Sequence, residues 1–81
     1  MDVETKADRA AQVLSNEVYQ EAVAGAKQRL KDSWAAADDP VQRDALWHEL
    51  KAIEAVTREL TIIRDNGIVA RHRSEKEATR A

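Results

Sequence analysis

Asp38-Asp39-Pro40 is the stretch that most constrains what this chain can fold into. Pro40 biases Asp39 away from the α region, so a helix arriving from the N-terminal side has to stop by about Asp38. The same proline suits the first position of a new helix, where its missing N–H costs nothing. Asp39 then fits as the N-cap, and Gln42, three residues on, is placed to reach back to it. Helix-period apolar stripes flank the stretch on both sides, so the expectation is a turn at 37–40 that makes two helices antiparallel neighbours.

Before the turn, Ala7, Ala11, Leu14, Val18, Ala22 and Ala26 fall on one helical line, widened by Tyr19, Val23, Leu30 and Trp34. Ser15-Asn16 interrupts that line in composition. Both residues are good caps and Glu17 favours a helix N-terminus, which reads as a short helix ending near Leu14 and a second starting near Asn16. One continuous helix is the competing reading, since Ser or Asn costs only about 0.5 kcal/mol in a helix interior. Ala22, Gly25 and Ala26 form the smallest-surfaced part of the chain. A mid-helix glycine costs roughly 1 kcal/mol against alanine, so this triplet is either a close helix–helix crossing or a tolerated glycine.

After the turn, Leu46, Leu50, Ile53, Val56, Leu60 and Ile63 make a continuous stripe at spacings of three and four, broadened by Trp47 and Ile62. Asp65-Asn66-Gly67-Ile68 reads as its end, with Gly67 in the left-handed position after the helix and Ile68 lying back over Ile63. That helix would run about 26 residues, or about 39 Å. Its excess over the helix before the turn needs cover from the N-terminal segment or a partner. Beyond Ala70 the pattern dissolves into charge, so residues 1–70 are expected to form the hairpin domain and 71–81 a mobile tail. Ser74 and Glu77 have capping-box spacing, enough for a last helical turn if something docks there.

Composition narrows the function classes. The 81 residues hold no cysteine, which removes disulfides, thiolate metal sites and thiol catalysis together and fits a reducing compartment. A formal charge of −2, from thirteen basic and fifteen acidic residues mixed along the chain, makes no field that implies nucleic acid or an anionic membrane. No apolar run approaches the length of a membrane span, and the opening residues lack the features of a signal peptide. A soluble cytoplasmic protein is the expectation.

Catalytic, cofactor and metal sites are not expected. Asp44 and His48 sit four apart on one helix face, half of a metal site or an acid/base pair, but no further His or Cys is spaced to complete four zinc ligands. There is no glycine-rich phosphate loop or nucleophile elbow. Lys27, Arg29 and Lys31 in the second helix, with Arg71 and Arg73 in the tail, are the best nucleic-acid contacts, each group diluted by acidic neighbours. Trp34 and Trp47 flank the turn. They read as one indole closing the hairpin core and one offered as an interface anchor.

The order of an Ala-rich opening, Leu14 before a polar break, Val18-Tyr19-Gln20-Glu21-Ala22, Trp34, an acidic turn, Leu46-Trp47 and an Ile/Val/Leu helix closing on a glycine resembles small helical proteins encoded among the structural genes of tailed bacteriophages and prophages. The resemblance covers the chain to about Val69. It implies a viral or prophage-borne protein, placed in the host cytoplasm or the virion, and assigns no functional residue. The fold expected is all-α: an antiparallel hairpin of two long helices plus a short N-terminal helix, completed into a bundle by oligomerisation. Two long stripes on a chain too small to bury them point to a non-enzymatic interaction protein, a homo-oligomer with a dimer favoured, or one docked on a larger protein. Its contact residues would be Leu30, Trp34, Leu46, Trp47, Leu50, Ile53, Val56, Leu60 and Ile63. The alternative is a small nucleic-acid-binding regulator using the basic residues named above.

Overall fold

The computed structural model describes residues 1–80 as three helices: α1, Val3–Ser15; α2, Glu17–Ala36; and α3, Pro40–Arg80. No strand occurs among the described residues. Each start is capped by a side chain of the preceding residue. Asp2 accepts from Thr5 N at 2.7 Å, and this hydrogen bond from the Thr5 backbone holds its carboxyl below the ordinary carboxylate range. Asn16 accepts from Tyr19 N at 2.9 Å, and Asp39 from Val41 N at 3.0 Å.

Ser15-Asn16 breaks the first arm. Asn16 is extended, with φ −69° and ψ 123°, and serves as the C-cap of α1 and the N-cap of α2 together. The Gln20 side chain donates back across the break to Leu14 O at 2.9 Å, satisfying a carbonyl that the interrupted ladder leaves without an amide. The break also resets the helical phase. Val18 and Ala22, on one line with Ala7, Ala11 and Leu14 in an unbroken helix, are exposed in α2, Val18 to 73%. Tyr19, Val23, Ala26 and Leu30 are the half-covered residues instead.

The expected helix end at 65–68 is overturned. α3 continues through Gly67 to Arg80, no glycine has a positive φ, and Ile68 is 58% exposed rather than folded back over Ile63. The 41 residues of α3 span about 61 Å. Residues 71–80 of the expected tail are therefore helical, with exposed side chains at 71–79, while Ala81 lies outside the described residues.

Gly67 has a tertiary reason to be glycine. It is buried against α1, and a Cβ built on it would overlap the Cβ of Ala7 and come within 3.4 Å of Val3 O. Small residues on both helices let the two backbones approach closely, and Ala7 and Ala10 are the apolar residues buried below one-tenth exposure. Asp8 and Arg71 pair across the same junction at 3.2 Å, an exposed bridge worth about 0–1 kcal/mol. Among the described residues nothing makes a comparable approach to Gly25, where an added Cβ would meet Arg29 Nη1 of its own helix, at 3.5 Å.

α2 meets α3 more loosely than the shorter α1 does. Midway, Tyr19 Oη lies 3.3 Å from Thr57 Oγ1, which donates to Ile53 O at 3.4 Å. The molecule measures 65 × 23 × 18 Å, with a radius of gyration of 18.1 Å against about 12 Å for a compact domain of this length.

Gly67→Ala gains about 1 kcal/mol of helix propensity but loses about 1–3 kcal/mol to overpacking against Ala7. It is expected to lower the thermal midpoint and strip hydrogen-exchange protection from α1 first. Gly25→Ala, with room for its methyl, is expected to raise the midpoint by the equivalent of about 0.5–1 kcal/mol. Circular dichroism melts of both variants should move in opposite directions, and a shared direction would refute this account of the two glycines.

Candidate interaction cleft

Near the connection between α2 and α3 the two helices leave an apolar cleft of about 210 Å³. Leu30, Lys31 and Trp34 line it from α2, and Leu46, Trp47 and Leu50 from α3. The volume far exceeds the roughly 30 Å³ share of one water molecule. A space of this size and lining accommodates an apolar side chain. Lys31 is the charged residue of the lining, and it stands at the exposed edge.

One cation stands over each indole. The Arg43 guanidinium carbon lies 3.9 Å from the centroid of the Trp34 ring, inside cation–π range. Lys51 Nζ lies 5.3 Å from the Trp47 centroid and is bridged to Glu54 at 3.4 Å. His48 meets Trp47 edge-on, with centroids 5.1 Å apart at 76°. Both indoles nevertheless keep much of their surface in water, Trp34 at 41% and Trp47 at 47% exposure. Neither is enclosed as a core residue. Arg43 Nε is buried without a hydrogen-bond partner among the described residues.

The remaining stripe residues divide between seam and surface. Ile53, Leu60 and Ile63 are half-buried, like Leu30, Leu46 and Leu50 in the cleft, while Val56 is 60% exposed. Ala22 is exposed, and Gly25 and Ala26 are half-covered. A second, shallower apolar hollow lies beside α1, lined by Met1, Ala10, Val13, Leu60 and Ile63 and edged by Lys6 and Arg9.

The basic residues are not gathered into one surface. Lys27 is half-buried on α2, Arg29 and Lys31 are exposed there, and Arg71 and Arg73 stand near the other end of the molecule, Arg71 paired with Asp8. Asp44 and His48 form a surface pair at 3.4 Å, 73% and 65% exposed. No third His, Cys, Asp or Glu joins them among the described residues. No described helix is long and apolar enough to cross a membrane.

Arg43 is the site residue that the stripe pattern did not single out. Its signal was position: an arginine in the first turn after a short connection faces the last turn before it, where Trp34 sits. Compared with known proteins, the chain matches no family model, and no curated protein or solved structure matches it significantly.

Arg43→Ala is expected to cost about 1 kcal/mol in urea unfolding and to raise acrylamide quenching of tryptophan. Arg43→Lys should recover part of the stability, because it keeps the charge and loses the planar stack. Unchanged quenching in Arg43→Ala would contradict the role given to this side chain.

Proposed function

We propose that this protein is a non-enzymatic helical interaction module: an antiparallel hairpin of α2 and α3 with α1 folded onto the far end, which buries its open apolar surface by self-association or against a larger protein. One observation carries the reading. Ala7 and Ala10 are the buried apolar residues, while eleven large apolar side chains, among them Trp34, Trp47, Val56 and Ile62, are exposed among the described residues. Where such side chains gather, as Trp34 and Trp47 do on one apolar cleft, they support an interaction surface. The resemblance to helical proteins of tailed-phage structural genes supports an assembly or virion-associated accessory role, in the host cytoplasm or the particle. The nucleic-acid alternative has less behind it, because its basic residues lie on separate parts of an elongated molecule and Arg71 already has a carboxylate partner.

Leu50→Asp or Ile53→Asp places a carboxylate in the half-buried seam and is expected to cost at least about 2 kcal/mol. Both variants should lose helicity by circular dichroism and lose assembly by light scattering. Retention of wild-type helicity and mass by either variant would refute the reading.

A further inference from the structure

We infer that the outer face of α3, on the side away from α1 and α2, is the contact surface between two antiparallel copies of this chain. The inference rests on the interaction reading above and specifies its partner. The face is defined by period. Alternate steps of three and four residues from Arg43 to Gly67 land each time on a half-covered or buried position, so α3 meets the rest of the chain along one heptad line. Half a turn away, on the opposite line, stand His48, Ala55, Ile62 and Val69, seven residues apart and all exposed. Ala45 and Ala52 flank them and are small enough for a second helix to come close.

The charges on this face answer one another in reverse order. A two-fold contact sets each copy against the same patch of the other, run in the opposite direction. With the axis between Arg58 and Glu59, Arg58 of one copy stands level with Glu59 of the other, and Asp44 with Arg73, each pair occurring twice. Ile62 falls on Ala55, a large side chain on a small one. No charged residue from 41 to 76 stands level with one of its own sign. Arg58, Glu59 and Arg73 are exposed and make no ion pair among the described residues, so the contact uses charges that the single chain leaves unmet. Moving the axis to Ala55 instead pairs Glu59 with Lys51, already bridged to Glu54, and leaves Arg58 and Arg73 opposite alanines.

Light scattering after size exclusion on the full chain should give twice the 9.1 kDa chain mass at high concentration. Arg58→Glu, at an exposed position, should weaken the dimer roughly tenfold at low salt with helicity unchanged, and adding Glu59→Arg to it should restore the mass. The chain has no cysteine, so introduced thiols report the register. A mixture of Ala55→Cys and Ile62→Cys chains should form an intermolecular disulfide on oxidation, because the two positions face each other. Ala55→Cys alone should not, since its two copies lie about 10.5 Å apart along the helix axis, beyond the ~7 Å that a disulfide spans. A wild-type monomer at high concentration would overturn the inference and leave the interaction module to a different partner. A dimer indifferent to Arg58→Glu, or not recovered by the double swap, would overturn it as well. So would a mixture that fails to cross-link, or cross-linking of Ala55→Cys alone. Failure of the interaction reading itself would appear in the Leu50→Asp and Ile53→Asp variants.

Discussion

Thickness is the constraint on which the rest of the structure depends. A cross-section of 23 × 18 Å admits two helices side by side, each about 10–12 Å across with its side chains. Every residue therefore has a neighbouring helix on one side only. Enclosure, the usual route to burial, is closed to it. What remains is closeness: where both facing residues are small, the backbones come near enough to exclude water on their own. Ala7, Ala10 and Gly67 are the places where this happens. The larger side chains of the same seam, Leu46, Leu50, Ile53, Leu60 and Ile63, stop at half-burial because nothing stands on their open side.

This constraint gives the two halves of the first arm different characters. α1 is held by backbone proximity, in which a single methyl matters. α2 is held by side chains that reach: the Tyr19 hydroxyl to Thr57, and Arg43 across the Trp34 ring. The single extended residue Asn16 separates the two regimes. It lets α1 settle on Gly67 without dictating the rotation of α2, and Gln20 holds the ends together across the gap.

The sequence made the elements legible where a local rule decides them. Asp39-Pro40 and Asn16 are caps with a mechanism, and both start helices where that mechanism places them. It failed where two readings of one residue compete. Asn66-Gly67 carries the local signature of a helix stop, yet the glycine is used for approach by Ala7, a residue sixty positions away, and the helix runs on. A single-chain pattern contains half of that signal, the small residues of α1, and not the pairing that gives them meaning. The phase reset at Asn16 hid Val18 and Ala22 in the same way. Reading the stripe straight through the break put on the covered line two residues that a one-residue break turns to solvent. Of the candidate site, the apolar members were legible as a stripe. Their incomplete cover and the cation on each indole depended on how far apart α2 and α3 lie.

The state of Trp34 and Trp47 follows from the same geometry. Enclosing two indoles takes a third layer of helix, and the described chain has none to give. α1 is committed to the seam at Gly67, α2 forms one wall of the cleft, and α3 runs straight past α1 to Arg80 with only exposed side chains at 71–79. Arg43 and Lys51 do within the chain what can be done short of a third layer. Each stands over one indole, while the rest of the ring surface stays in water. A cation over an exposed ring is worth about 0.5–1 kcal/mol, which favours the rotamer that keeps the contact. Such a contact offsets part of the ordering cost that opposes association, about 0.5–1.5 kcal/mol per immobilised side chain.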